Sequence, residues 1–402
     1  MAEKELINYF ENFLKKEPLF INKKAMQMNY TPENIPHRDD QIKNIAGILA
    51  PSLRMEKPSN LFIYGKTGTG KTVSITKVSD DLIKIAKKNN LPLKIVYLNC
   101  KLKRVADTEY RLIAQITREL GVEVPATGLP TDEVYKIFIK EIDKEKILLI
   151  LILDEIDQLV KKIDDGILYN LTRLNHELKN TEISLIGISN DLTFTSELDP
   201  RVKSSLGEEE LVFPPYNAVQ LQSILRERVN IAFRPKAMEE GVIEKCAAYA
   251  AREHGDARRA LELLRVAGEI AERGNEIHIL MKHIDDAQEK IERDRVLDTI
   301  STQPKQFKLA LYSIFSMTFS DDKPIFTGDI YELYKDACIK VGLKPLTQRR
   351  VSDIIAELDM LGIINAKVIS KGRYGRTREI RLAIPSSTVP KVKDLLKTGL
   401  GL

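Results

Sequence analysis

The stretch Gly65-Lys66-Thr67-Gly68-Thr69-Gly70-Lys71-Thr72 satisfies G-x-x-x-x-G-K-[ST] at every fixed position and follows the apolar run Leu61-Phe62-Ile63-Tyr64. That spacing demands a strand, a glycine-rich turn and a helix in immediate succession. The helix reads Val73-Ser74-Ile75-Thr76-Lys77-Val78, with no glycine or proline to break it. Glycines let backbone N–H groups curl around phosphate oxygens, and the helix N-terminus adds partial positive charge. Lys71 then reaches the β- and γ-phosphates and Thr72 ligates Mg²⁺. Gly65, Lys66, Thr67, Gly68, Thr69, Gly70, Lys71, Thr72 and Val73 are therefore expected to cradle a nucleoside triphosphate.

The rest of the chain alternates around this loop. Apolar, β-branched strands at 61–64, 94–98, 147–153 and 183–188, with a short fifth at 210–213, are separated by helical patterns over 71–88, 107–120, 131–143 and 166–179. That order implies a parallel sheet covered on both faces. Pro214-Pro215 closes the region. From Tyr216 to Arg295 only helical patterns appear, over 217–231, 235–253, 255–273 and 280–298, and Gln303-Pro304 punctuates again. Three further helices (306–319, 326–341, 347–361) precede two strands joined by Lys371-Gly372-Arg373-Tyr374-Gly375, the pattern of a winged helix, with a last helix near 388–398. The expected fold is α/β: a P-loop parallel sheet, an all-α lid and a C-terminal winged helix. The expected domains are an N-terminal helix over 1–20, a nucleotide-binding base over 21–215, a lid over 216–300 and the winged helix over 301–402.

Charge is distributed unevenly. Residues 301–402 carry 17 Lys and Arg against 10 Asp and Glu, a net +7, whereas the whole chain is only +4. A basic appendage on a near-neutral body fits nucleic acid as partner. The third helix of the winged pattern opens Thr347-Gln348-Arg349-Arg350-Val351-Ser352, so Gln348, Arg349 and Ser352 are placed to reach base edges or phosphates. The hairpin and its flanks hold Lys367, Lys371, Arg373, Arg376, Arg378 and Arg381 against the single acid Glu379, with Tyr374 at the tip to contact sugar or enter the minor groove. No apolar run approaches the roughly 20 residues of a membrane span. The N-terminus lacks the apolar core of a signal peptide, and Cys100, Cys246 and Cys338 lie far apart. A cytoplasmic, nucleoid-associated protein with no membrane partner is expected.

Catalytic candidates fall at strand ends. Ile147 to Leu153 runs into Asp154-Glu155; carboxylates there suit Mg²⁺ held through its waters (Asp154) and polarisation of an attacking water (Glu155). Asn190 ends the next strand and faces the same region. Arg201, in Leu198-Asp199-Pro200-Arg201, and Arg258, in Gly255-Asp256-Ala257-Arg258, are the candidate cations for γ-phosphate charge. Arg259 is read as a surface residue.

Taken together, the phosphate loop, the Asp-Glu strand end, the Asn-terminated strand, the Asp-Pro-Arg segment, the helical lid with Gly-Asp-Ala-Arg and the winged helix resemble an AAA+ ATPase of the initiator clade. More narrowly, the chain is similar to archaeal replication initiators related to the largest subunit of the eukaryotic origin recognition complex and to its helicase-loading paralogue. The resemblance implies that Lys71 and Thr72 contact nucleotide and Mg²⁺, that Asn190 and Arg258 are the first and second sensors, and that Arg201 is an arginine finger. It implies that Ile35-Pro36-His37-Arg38 closes over adenine, with Ile35, His37, Arg38 and Tyr216 in the ATP/ADP site. It also implies that residues from about Lys103 to Val134 form an inserted helical element that touches DNA. The expected function is ATP-dependent initiation: binding double-stranded origin DNA with paralogous initiator subunits and recruiting or loading the replicative helicase, with slow hydrolysis as a switch. Two alternatives are an ATP-gated transcription regulator and a DNA branch-migration or remodelling motor.

Overall fold

A computed structural model describes residues 10–11, 17–28, 30–102, 106–125, 128–318, 325–370, 376–385 and 387–402. Most of the expected N-terminal helix, together with Lys371, Arg373 and Tyr374 and the side chain of Arg376, lies outside the described residues. The chain forms two compact units divided between Ile284 and Asp285. That division falls inside the helix Met281–Ser301, ahead of the Gln303-Pro304 boundary read from sequence. The physical reason is packing: Val296, Leu297 and Ile300 on the later turns belong to the second unit's core.

In the first unit, β1 (Asn60–Tyr64), β2 (Leu93–Asn99), β3 (Leu148–Asp154), β4 (Glu182–Ser189) and β5 (Glu208–Val212) form one sheet in the order β2-β3-β4-β1-β5, all pairs parallel. Period-two alternation assigns the two faces. Leu61 and Ile63 join Ile75, Val78 and Leu82 of the helix Lys71–Lys88 in one core. Phe62 and Tyr64 join Leu149, Leu151, Leu112 and Phe138 in the other. Each such side chain contributes about 2 kcal/mol by leaving water. All seven residues of β3 are buried, so this strand is the sheet's apolar axis and delivers Asp154 to its carboxyl edge. Gly187 is required beside it, because a Cβ there would stand 2.5 Å from the Phe62 ring.

Two local expectations change. The sequence reading passed from Asp154-Glu155 directly to a helix over 166–179. The chain instead forms the short helices Ile156–Ile163 and Gly166–Arg173, broken where Asp164 takes a φ of 87°. The helix expected over 235–253 begins only at Val242, after Gly241 at φ 85°, and Met238 bridges to Ile279. The insertion's helices Glu109–Glu119 and Thr131–Ile142 are packed on the sheet through Leu112, Ile116, Val134 and Phe138.

The second unit contains the helices Lys305–Thr318, Thr327–Val341, Gln348–Met360 and Val389–Leu400. Its antiparallel sheet has the order β6 (Ile325–Phe326), β8 (Arg376–Leu382), β7 (Ile364–Ser370). Two residues are too few to show alternation, so β6 was invisible to periodicity.

Candidate functional site

The phosphate loop joins β1 to the helix Lys71–Lys88, and Gly70 at φ 90° is the residue before that helix. Gly68, at φ 69°, meets the lid: the Ala257 N–H donates to the Gly68 carbonyl at 3.2 Å, and a Cβ on Gly68 would lie 1.6 Å from Asp256 Oδ1. The lid's Gly255-Asp256-Ala257 turn is thus seated on the loop's backbone. A cleft of about 860 Å³ opens beside it, lined by Thr67 to Val73, Asp154, Glu155, Asn190 and Arg258, with Ile35, Tyr216, Ile224 and Leu261 among its apolar walls.

Lys71 is 5% exposed, and its ammonium donates to the Gly65 carbonyl (2.5 Å), the Lys66 carbonyl (2.8 Å) and Asn190 Oδ1 (2.8 Å). Burial pushes its pKa down to about 8; Asp154 opposes that shift and Arg258 adds to it. Thr72 Oγ1 donates to Asp154 Oδ2 at 2.9 Å, and the Glu155 N–H donates to Asp154 Oδ1 at 2.9 Å. A hydroxyl and a carboxylate facing the cleft are hard oxygen donors of the kind Mg²⁺ takes alongside its own waters. Glu155 lies at φ 56°, so the strand turns sharply into the next helix and brings both acids to the cleft. Arg258 lies in the first turn of the helix Ala257–Arg273, whose start is capped by the Asp256 carboxylate at 2.8 Å from the Arg258 N–H.

Other expected residues are placed differently. His37 is exposed, and neither it nor Arg38 is among the cleft's lining residues. Arg38 is 2% exposed, with its guanidinium donating to the Thr69 (2.9 Å) and Pro214 (2.5 Å) carbonyls and stacked 3.9 Å above the Tyr216 ring. It braces the phosphate loop from outside the cleft. Arg201 is 86% exposed in its side chain, absent from the cleft lining, and paired with Asp199 at 3.1 Å. Arg259 is not a free surface residue: its side chain is 16% exposed and bonds Glu253 at 3.0 Å.

On the winged-helix unit, Thr347 caps the helix Gln348–Met360 and Val351, Ile355 and Leu358 are buried, leaving Gln348 and Arg349 exposed. Ser352 is half-buried and its carbonyl accepts from Arg378 Nη1 at 2.7 Å, so Arg378 ties β8 to this helix. Arg381 pairs with Glu379 at 2.7 Å, whereas Lys367 is exposed. The basic cluster is therefore mixed: part of it holds the fold and part presents charge.

Three family descriptions match successive segments: an AAA domain over residues 54–194, a Cdc6 AAA+ ATPase-type lid domain over 222–289, and a CDC6 C-terminal winged helix domain over 298–392. An ORC1-type DNA replication protein of Pyrococcus furiosus is 53% identical over 98% of this chain and 93% of its own length. The chain belongs to the ORC1-type DNA replication proteins. Another member, from Methanosarcina mazei, is 51% identical over 95% of this chain and 92% of its own. Among solved structures, that of the Aeropyrum pernix ORC1 protein in complex with DNA superposes with a TM-score of 0.82 at 45% identity, covering 95% of this chain and 98% of that one.

In this ORC1-type chain two cleft residues escaped the sequence reading. Tyr97 donates its hydroxyl to Asp154 Oδ2 at 2.6 Å; burial first, and then the Asp154 charge, hold the phenol well above its ordinary pKa. Arg228 is 8% exposed, donates to the Ala25 carbonyl at 3.2 Å and lies 4.4 Å over the Tyr30 ring. Tyr97 was findable, because it precedes the carboxyl end of a parallel strand. Arg228 stands in the polar run Arg226-Glu227-Arg228, which reads as a solvated face. Among the described residues, no helix is long and apolar enough to cross a membrane.

Proposed function

We propose that this ORC1-type protein binds ATP in the cleft above, binds double-stranded origin DNA, and recruits or loads the replicative helicase together with paralogous initiator subunits. The domains are assigned as a base over about 21–215, a lid over 216–300 and a winged helix over 301–402. The observation that carries the reading is the meeting of Lys71, Thr72, Asp154, Glu155, Asn190 and Arg258 around one cleft whose lid rests directly on the phosphate loop.

In this reading the Lys71 ammonium exchanges its carbonyl partners for β- and γ-phosphate oxygens. The Thr72 hydroxyl and, through water, the Asp154 carboxylate would hold Mg²⁺, which when bound screens the phosphate charge. Glu155 polarises a water against the γ-phosphorus as the bond to the bridging oxygen breaks, releasing ADP and phosphate. Arg258 answers charge on the γ-phosphate from the lid, so nucleotide state biases the lid through a differential contact. Arg201, exposed and outside the cleft, serves the site of a neighbouring initiator copy. Slow turnover suits such a switch.

Gln348, Arg349 and Lys367 supply phosphate and base contacts, together with Lys371, Arg373, Tyr374 and Arg376 of the wing. The DNA-bound Aeropyrum pernix relative supports DNA as the ligand. Crosslinking and sequencing of the protein on its host chromosome tests the reading. A few sharp sites at replication start points are expected; promoter-wide occupancy would overturn it.

A further inference from the structure

The Asp154 carboxylate receives three hydrogen bonds from three separate segments. The phosphate-loop helix supplies the Thr72 hydroxyl, the turn after β3 supplies the Glu155 N–H, and β2 supplies the Tyr97 hydroxyl. Thr72 and Tyr97 share one oxygen, Oδ2, at 2.9 Å and 2.6 Å. The register explains how β2 reaches it: β2 pairs with β3 through Tyr97↔Ile152 and Asn99↔Asp154, so the tyrosine stands two residues before the strand's end. Val96 and Leu98 turn into the core on one face, while Tyr97 and Asn99 line the cleft on the other. A strand tyrosine at an exposed edge needs no partner, yet this one, 41% exposed, directs its hydroxyl onto the acid that the nucleotide reading assigns to the metal's waters.

We infer that Tyr97 is a positioning residue for the Mg²⁺-dependent part of nucleotide binding, acting by fixing the Asp154 carboxylate against Thr72. The inference rests on the proposed ATP and Mg²⁺ site. Among the described residues the phenol's hydroxyl bonds Asp154, and neither phosphate contact, Lys71 nor Arg258, is its hydrogen-bond partner. Without it, Asp154 keeps the Thr72 and Glu155 donors but loses the short bond from the neighbouring strand, so its carboxylate turns more freely about the Cα–Cβ and Cβ–Cγ bonds. A hydrogen bond to a charged group is strong enough for that loss to be measurable. Because only the carboxylate's orientation changes, the penalty falls on the metal-dependent increment of binding and leaves metal-free binding intact.

The test is Tyr97→Phe, which removes one oxygen and keeps the ring, in the full-length protein. A fluorescent methylanthraniloyl-ATP is titrated first in EDTA and then across a Mg²⁺ series. Tyr135→Phe is the control, since Tyr135 donates to Glu109 at 2.7 Å, a phenol–carboxylate pair outside the cleft. Expected is an EDTA affinity within about twofold of wild type, a Mg²⁺-dependent gain reduced about fivefold, and recovery at high Mg²⁺, with Tyr135→Phe matching wild type throughout. A Tyr97→Phe titration that superposes on wild type would overturn the inference. So would equal losses in EDTA and in Mg²⁺, which mark general damage to the strand. A wild-type protein that binds no nucleotide in either condition would instead defeat the parent reading, and this inference with it.

Discussion

The two units use charge in opposite ways. In the first, Lys71 is buried, desolvated and held by two loop carbonyls and Asn190, so its position follows from the backbone. In the second, Gln348, Arg349 and Lys367 are exposed, Arg381 is an exposed side chain paired along its own strand with Glu379, and Arg378 is held by the fold on the Ser352 carbonyl. A preorganised cation makes a tight, geometry-dependent phosphate site. Loose surface cations make a salt-dependent one, because their contribution comes from releasing counterions. The same chemical ligand, phosphate, is therefore met by two physical strategies.

The sharpest way to break that contrast is Lys71→Ala. Losing the ammonium removes charge-assisted bonds worth about 3 kcal/mol, so ATP affinity should drop about 100-fold. DNA affinity should stay within about threefold, as read by fluorescence anisotropy on the same preparation. An equal loss of DNA binding would mean that the surface strategy depends on the buried one. Next in size is Gly68→Ala. A side chain at φ 69°, directed at Asp256, stores about 2 kcal/mol of strain that moving the Asp256 turn off the loop relieves, so that contact should open about thirtyfold more often. Faster hydrogen exchange at the Ala257 amide would report the lid leaving the loop; unchanged exchange would show that the seat is not needed.

How much of each region could be read from residues alone follows the same divide. The placement of Thr67–Thr72, Asp154 and Asn190 beside one cleft was legible because backbone spacing and strand ends leave little freedom. The contacts of Arg38 were not legible, since nothing in the order Ile35-Pro36-His37-Arg38 shows that its guanidinium stacks on Tyr216 and braces Thr69 and Pro214. The wing was read as a uniform basic cluster because composition counts charges and not their partners: Arg381 pairs with Glu379 along its own strand, and Arg378 bonds the Ser352 carbonyl, a contact that only the tertiary fold makes. Tyr97 could be placed near the site from its position at a strand's carboxyl end, but its bond to Asp154 needed the register of β2 on β3.

Arg349→Ala combined with Lys367→Ala probes the surface strategy alone. Two lost phosphate contacts should lower DNA affinity about tenfold near physiological salt and flatten the log–log salt slope by about two, with ATP affinity unchanged. A weakened affinity with an unchanged slope would assign these residues to base reading.

The smallest effect separates the strategies by pH. With its pKa pushed down to about 8 from an ordinary 10.5, folded Lys71 releases its proton earlier than the unfolded chain does. Between those values the unfolded state binds more protons, so this group makes the nucleotide-free protein more stable as pH rises through that window and contributes no slope below it. Nucleotide reverses the preference, because phosphate favours the charged ammonium. ATP affinity should therefore fall about threefold between pH 7.5 and 8.5, as the charged fraction falls, and binding there should take up protons, measurable by calorimetry in buffers of different ionisation heat. Lys71→Arg keeps its charge and should flatten the profile. DNA binding through exposed arginines should not change over the same range, since a guanidinium stays protonated. A parallel pH fall in both affinities would mean that the two sites share one titrating control, and the division drawn here between buried and surface charge would fail.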